Sequence, residues 1–478
     1  MSRLPVLLIL AAAVACISSR ADEGKDESIA ISLTQWQRED IAAFRERFLA
    51  VDRSFSAEAR AAAEQRLSRL ERQSPSPTEF AVELCRIAAL ADNAHTQCLP
   101  SWVGRSICQR VAAIGTNVAP WCQLQTPRLE VKDFETAAVA FYPFGEHFHV
   151  VGVEAQNLDL LGAQLVALED RPIEDIRAML RTFAGGTAAF RDLRAAGVLA
   201  SPPQLWAVGL ARHQDSATYE FLSRDGRRLK RTFLVSPTNW QAWHGLPSPD
   251  RAAWAFQESN LPFRYVDAPQ IDSVVVQLRQ VQDDGDHKIE HFLREADARR
   301  HQLGRKNVVL DMRFNDGGNL YLLRDFMRQW PSRTEGRFFV LSSRRTFSAA
   351  IASIAYLKQA GGDRVSIVGE PVGDRLMFFS DGLPIQLPNS GRFFVPAVVR
   401  MDYHGACREY DDCSEAVAQP GRPTAKAALP MLGSIERLPI AVSSLQPDID
   451  APWTIESWLS GSDPMMDAVA AMLGKGAK

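Results

Sequence analysis

The sequence predicts an α/β protein: a parallel sheet with crossover helices in the second half, preceded by a helical N-terminal region and a small β-rich module. Three observations carry this expectation. From residue 272 onward, apolar β-branched runs alternate with segments of helical spacing, the pattern of right-handed β-α-β units. Between 30 and 91, well-capped helical periodicity dominates. Between 139 and 236, short alternating runs broken by turn signals replace it. At 478 residues the chain can hold two or three domains. The expected boundaries are 1–21 for a leader, 22–135 for the helical domain, 136–240 for the β-rich module and 241–478 for the sheet domain.

In the helical region, Thr34 and Gln37 form a capping box, and Ser56 caps a second helix with Glu58 in its first turn. Ser76, Pro77 and Glu79 combine a cap, a first-turn proline and a boxed glutamate. The helix they start carries Phe80, Leu84, Ile87 and Leu90 or Ala91 on one face and ends at Asp92-Asn93, with His95-Thr96 next. In the module, strands are expected over 148–153, 164–168, 218–222 and 229–234, with Asp225-Gly226 as a hairpin turn between the last two. In the sheet domain, strands are expected over 273–278, 307–312, 337–341 and 365–368. Helices are expected over 319–330 and 349–359, the latter stopped by Gly361-Gly362.

Charge and leader narrow the function classes. Lys and Arg number 54 and Asp and Glu 57, a net charge of −3, so no basic field points to nucleic acid or an anionic membrane surface. Arg3, the apolar run from Leu4 to Ile17 and the small residues Ser19 and Ala21 read as a secretory signal peptide. Ala13-Val14-Ala15-Cys16 offers a second processing point, with lipidation at Cys16. No later apolar run is long enough to span a bilayer. Removal or acylation of Cys16 leaves Cys85, Cys98, Cys108, Cys122, Cys407 and Cys413, an even set that export turns toward disulfides. Pairing among the four N-terminal cysteines is left open.

Ligands bind at the carboxyl ends of parallel strands, and two such ends carry unusual residues. After the strand at 307–312 comes Asp311-Met312-Arg313-Phe314-Asn315-Asp316-Gly317-Gly318, whose paired glycines let backbone approach a ligand and aim amides at it. The other is Arg345-Thr346-Phe347-Ser348-Ala349-Ala350, where Ser348 stands at the start of a helix whose free amides favour an oxyanion. A serine there can instead simply cap the helix.

The order Asp311-x-Arg313-x-Asn315-x-Gly317-Gly318, Thr346-x-Ser348-Ala349-Ala350 and Val368-Gly369-Glu370-Pro371-x-Gly373 resembles the tail-specific (C-terminal-processing) serine peptidases. Leu387-Pro388-Asn389-Ser390-Gly391, Pro447-Asp448-Ile449 and Gly461-Ser462-Asp463-Pro464 extend the resemblance, which covers roughly 265 to 475. It implies a fold related to crotonase and the Clp protease, with Ser348 as nucleophile. It further implies an oxyanion hole from the amide of Ala349 and that of Gly317 or Gly318. Leu161 to Ile173 resembles part of a PDZ-like module, which binds peptides by strand addition.

Many members of that family use a lysine in a Gly-Lys-Gly turn as base. The matching turn here is Gly373-Asp374-Arg375, and arginine does not release its proton. The tricorn-like and retinoid-binding-protein-like branches carry a histidine in a segment similar to Leu90-x-Asp92-x-x-His95-Thr96, which makes His95 the candidate base. Glu370, at a strand end, is the candidate to orient it. The glutamate that tricorn carries before its Pro-Asp motif has no counterpart in Ala441-Val442-Ser443-Ser444.

The resulting expectation is an exported serine-type endopeptidase acting on unfolded or tail-presented polypeptides, without cofactor. Two alternatives stand beside it. One is a non-catalytic peptide or hydrophobic-ligand carrier on the same fold. The other is a zinc metallopeptidase built on His287-Lys288-Ile289-Glu290-His291, a spacing that would put both histidines on one helix face.

Overall fold

The computed structural model describes residues 33–113, 124–129, 131–236, 243–404 and 440–474. The expected leader, Cys16, Cys122, Cys407, Cys413 and the Thr34 side chain lie outside the described residues.

Helices α1 (Leu33–Ala43), α2 (Ala57–Leu70) and α3 (Pro77–Ala88) form the N-terminal region. Ser56 accepts from the Ala59 amide at the start of α2, and Ser76 and Glu79 close a reciprocal box at the start of α3. Each such cap stabilises its helix by about 1 kcal/mol. Phe80, Leu84 and Ile87 of α3 pack with Phe44, Phe48 and Leu67, and the same cluster includes Ile385, Leu387 and Phe394 from far along the chain. The region is therefore not a free-standing domain. A disulfide joins Cys85 of α3 to Cys98 of β1 (Gln97–Leu99), and α4 (Ser101–Ala113) follows. Cys108 is disulfide-bonded as well.

The module comprises β2 (Val139–Phe144), β3 (His147–Glu154), β4 (Gln164–Leu168), β5 (Arg171–Pro172), α5 (Ile173–Leu180), α6 (Ala188–Leu199), α7 (Pro202–Ala207), β6 (Ser216–Leu222), β7 (Arg228–Leu234) and β8 (Trp243–Gly245). Its strands run β2-β3-β4-β6-β7, with β5 on β4 and β8 on β3. The strand expectations hold, but two features differ. Three helices interrupt the strands, and α5 buries Ile173, Ile176 and Leu180 at helical spacing. The sheet also reaches past residue 240, because β8 pairs with β3 from Gly152 to Glu154.

The second half builds β9 (Phe263–Ala268), β10 (Ser273–Leu278), α8 (Ile289–Gln302), β11 (Asn307–Asp311), α9 (Arg324–Gln329), β12 (Phe338–Ser342), α10 (Ala349–Gly361) and β13 (Val365–Gly369). Short strands β14 (Met377–Ser380), β15 (Ile385–Gln386), β16 (Phe393–Val395), β17 (Val399–Asp402) and β18 (Ile449–Asp450) follow, then α11 (Ile455–Ser460) and α12 (Pro464–Met472). The central sheet has the order β18-β13-β12-β11-β10-β9. All neighbours are parallel except the edge strand β9, which runs antiparallel to β10.

Both faces of this sheet are covered. Val308, Leu310, Phe338 and Val340 face one core with α8, α9 and α10, while Val309, Phe339 and Leu341 face the other with Trp453, Trp458 and Met465. Burial on both sides explains why these strands read as continuous apolar runs. The helix expected over 319–330 is a 3₁₀ turn, Leu320–Leu322, followed by α9, because the Asn319 side chain accepts from the Tyr321 amide and starts a tight turn. Away from the central sheet, β1 pairs antiparallel with β16, placing Cys98 opposite Phe394.

Candidate active site

The glycine turn and the serine turn lie against each other at the carboxyl ends of β11 and β12. The Phe347 amide donates to the Asn315 carbonyl over 2.9 Å, and the Thr346 hydroxyl donates to the Met312 carbonyl over 2.8 Å. Arg345 pairs with Asp316 at 2.9 Å, a further staple between the turns. Gly317 has φ +99, and a Cβ there would stand 2.6 Å from the Cβ of Ser348. Only glycine permits that approach. Gly318 has φ +140, and its Cβ would be 2.2 Å from the Val281 carbonyl oxygen.

Ser348 itself has φ 56 and ψ −122, a region that L-residues rarely occupy. Strain of this kind persists where the surroundings over-determine it, typically at functional turns. Its side chain makes no capping hydrogen bond to α10, so a capping role does not account for it. The Gly317 amide donates to Asn315 Oδ1 over 3.0 Å and is thereby engaged. The Gly318 amide has no acceptor among the described residues, and the Ala349 amide, first in α10, has no intrahelical acceptor. Of the two glycines, Gly318 is therefore the one with a free donor.

His95 arrives from the loop between α3 and β1. Its ring is stacked on Phe347, the residue before Ser348, with centroids 4.2 Å apart, and on Phe378 of β14 at 4.8 Å. Phe190 of α6 stacks on Phe347 in turn, at 5.2 Å. The imidazole side chain is 13% exposed, and neither ring nitrogen has a hydrogen-bond partner among the described residues. Buried polar groups left unpartnered are uncommon and call for a reason. A carboxylate lies close by: Asp374 Oδ2 is 3.6 Å from His95 Nδ1. Asp374 is buried and held still, accepting from the amides of Ala94 and Arg375. Asp92, before His95, is clamped by Arg191 of α6 and by Arg375.

Glu370 is placed otherwise than expected. Both of its carboxylate oxygens accept from Arg344, at 3.1 and 3.0 Å, in a buried bidentate pair. The carboxylate beside His95 is that of Asp374, in the Gly373-Asp374-Arg375 turn. The signal was present in Gly373-Asp374-Arg375, but an acidic residue in a lysine's place does not announce a contact with a loop some 280 residues earlier in the chain. Sequence reasoning also missed Phe347 and Phe378 as the plates around the imidazole.

Other motifs find structural work near the turns. Arg313 is fully buried, donates to both oxygens of Asp311 and to Asp463 Oδ1 at 2.7 Å, and lies over Trp453. Burial pushes the Asp311 carboxyl up, but the Arg313 charge and hydrogen bonds from Arg313 and Gln277 outweigh this and hold it below the usual range. Asp463 also caps α12, accepting from the Met466 amide. Asp448 accepts from the Ile367 amide and pairs with Lys358. Asp40 of α1 accepts from the amides of Asn389 and Ser390.

The metal-binding alternative fails on geometry. His287 precedes α8 in a bridge with Asp284, Lys288 is the helix cap, and Glu290 pairs with Arg294. The two histidines do not share a helix face, and no group of three His, Cys, Asp or Glu able to hold a metal occurs among the described residues.

Solved structures with this architecture include mature CPAF complexed with lactacystin, at 12% identity and a TM-score of 0.50, matching 93% of this chain and 97% of that one. A CPAF mutant aligns at 11% identity and a TM-score of 0.51 over 93% of this chain and 98% of the other. The chain has the fold of CPAF. The photosystem II D1 C-terminal processing protease is also similar, at 14% identity and a TM-score of 0.34 over 91% of this chain and 99% of that one. No protein-family model and no curated protein sequence matches the chain. At these identities the fold is what the chain shares with the CPAF structures. Among the described residues no helix is long and apolar enough to cross a membrane.

Proposed function

We propose that the protein is a serine-type peptidase that hydrolyses polypeptides through an acyl-enzyme. One arrangement supports this above all: a buried, unpartnered imidazole lies against the residue before a strained serine, with a fixed carboxylate 3.6 Å from its Nδ1. In this reading His95 takes the Ser348 hydroxyl proton as Oγ attacks the scissile carbonyl. The oxyanion forms between the amides of Gly318 and Ala349, each worth about 3 kcal/mol of barrier. His95 returns the proton to the leaving amine, then activates a water that hydrolyses the ester. Asp374 orients the ring and balances the imidazolium.

The natural substrates in this reading are unfolded or tail-presented chains, drawn to the site by the module of 136–240. The reading includes export, which the leader motivates and the Cys85–Cys98 disulfide favours, since such bonds persist in oxidising compartments.

The test is a fluorophosphonate probe applied to wild type, Ser348→Ala and His95→Ala proteins. Labelling of wild type alone, together with hydrolysis of an unfolded polypeptide by wild type alone, is expected. A folded wild-type protein that takes no label and cleaves no polypeptide would overturn the peptidase reading and favour a carrier on the same fold.

A further inference from the structure

The loop that presents His95 is held on its far side by a buried polar cluster that the mechanism above does not use. Asp52 follows the first helices and is 1% exposed, while Thr96 and Asn93 are 4% and 5% exposed. Asp52 Oδ2 accepts from the Thr96 hydroxyl at 2.9 Å and from the Ala397 amide at 2.7 Å. Its Oδ1 accepts from the amide and hydroxyl of Ser54, and the Ser54 and Thr96 hydroxyls are 2.8 Å apart. Thr96 in turn accepts from Asn93 Nδ2 at 3.2 Å. Asn93 then grips the backbone of Phe379 at both ends, donating to its carbonyl at 3.0 Å and accepting from its amide at 2.9 Å. Phe379 adjoins Phe378, the plate under the His95 ring.

The cluster thus fixes both the residue after His95 and the strand that carries its stacking partner. Burial pushes the Asp52 carboxyl up, with the hydrogen bonds from Ser54, Ala397 and Thr96 opposing it. A solvated loop would not gather a buried carboxylate, two hydroxyls and an amide. Buried networks of this kind rigidify what they hold when every member is satisfied. Catalytic groups need placement to within about 0.5 Å, and a displacement of about 1 Å can cost about a hundredfold in rate.

We propose that Asp52 and Thr96, joined through Asn93 to β14, are positioning residues that set the height and tilt of the His95 ring against Ser348. The proposal deepens the peptidase reading and rests on it for its kinetic consequence, but not for its geometric one.

The test compares Thr96→Val, which removes the hydroxyl at constant shape, with Thr96→Ser, which keeps it, and with Asp52→Asn. Circular dichroism and thermal unfolding select variants that are folded at the assay temperature. In these, Thr96→Val and Asp52→Asn are expected to lower kcat and the fluorophosphonate labelling rate by about ten- to a hundredfold with KM nearly unchanged. Thr96→Ser is expected to restore at least half of the wild-type value. Independently of activity, diethylpyrocarbonate should modify His95 several-fold faster in Thr96→Val than in wild type or Thr96→Ser, read by peptide mass. Folded Thr96→Val protein with wild-type kcat and wild-type His95 reactivity would overturn the proposal. Wild-type protein that takes no fluorophosphonate would overturn the peptidase reading instead, and the His95 reactivity series would still decide this one.

Discussion

Replacing Asp374 by Asn keeps the shape of the side chain and one of the two oxygens that accept from the Ala94 and Arg375 amides, while removing the charge beside His95. The charge matters when the imidazole becomes imidazolium. At 3.6 Å the pair attracts by about 5 kcal/mol for an effective dielectric of about 20. At about 1.4 kcal/mol per decade, loss of that attraction in the transition state lowers kcat by about three-thousandfold. The same substitution in a Ser-His-Asp triad costs about ten-thousandfold, where a direct hydrogen bond also fixes the tautomer. At 3.6 Å the contact exceeds hydrogen-bond range, so the smaller figure is the expectation here. The assay is steady-state hydrolysis of an unfolded polypeptide by wild type, Asp374→Asn and Glu370→Gln, with fluorophosphonate labelling rates alongside. Asp374→Asn should lose kcat with little change in KM, and Glu370→Gln should chiefly lose stability, because it leaves Arg344 buried with a weaker partner. An Asp374→Asn enzyme within about threefold of wild type, beside a stable but inactive Glu370→Gln, would refute the assignment of the third role.

Three further outcomes follow from the geometry. Gly318→Ala should abolish labelling of Ser348 and destabilise the protein by about 3 kcal/mol in urea titrations, since φ +140 and the Val281 carbonyl both exclude a Cβ. The double replacement Cys85→Ala, Cys98→Ala opens a loop of 13-residue separation and should lower stability by about 3 kcal/mol, with a larger fractional loss of activity than any surface change of equal stability cost, because the opened loop carries His95. Asp311 is held below its ordinary range in the folded state, so its contribution is complete above about pH 4 and is lost as pH falls through the folded-state value. The stability gap between wild type and Asp311→Asn, from urea midpoints, should therefore narrow steadily as the pH is lowered from about 4 through that value.

Much of the site was legible because its parts are local. The strand ending at Asp311, the paired glycines and the serine before a helix are each written in a few consecutive residues. The positive φ of Ser348 is not written there, because the packing of the two turns imposes it. His95 was legible only through its neighbours in the Leu90-to-Thr96 segment. The carboxylate beside His95 was not, because which one lies near the ring is decided only after folding. Glu370 stands at a strand end, as a site residue should, but Arg344, itself a neighbour of the serine turn, takes both its oxygens. Nothing in sequence order distinguishes that pairing from a free carboxylate. In the module, Ile173, Ile176 and Leu180 did carry helical spacing, and the β-type runs on either side drew the reading away from it. The pairing of β1 with β16 joins residues almost 300 apart, and such long-range pairing leaves no local trace.

That last pairing bears on what kind of object the catalytic centre is. Ser348, the amides of Gly318 and Ala349, and Asp374 belong to one stretch of chain, but the His95 imidazole belongs to another, stitched in by β1, a disulfide and a core shared with Ile385 and Phe394. A fragment starting at residue 241 would carry Ser348 without His95. The machinery is therefore not a cassette that recombination could lift out and graft beside a new partner. Inheritance of this chemistry requires the two distant stretches to travel together, and substitutions on either side of the seam are answerable to the other.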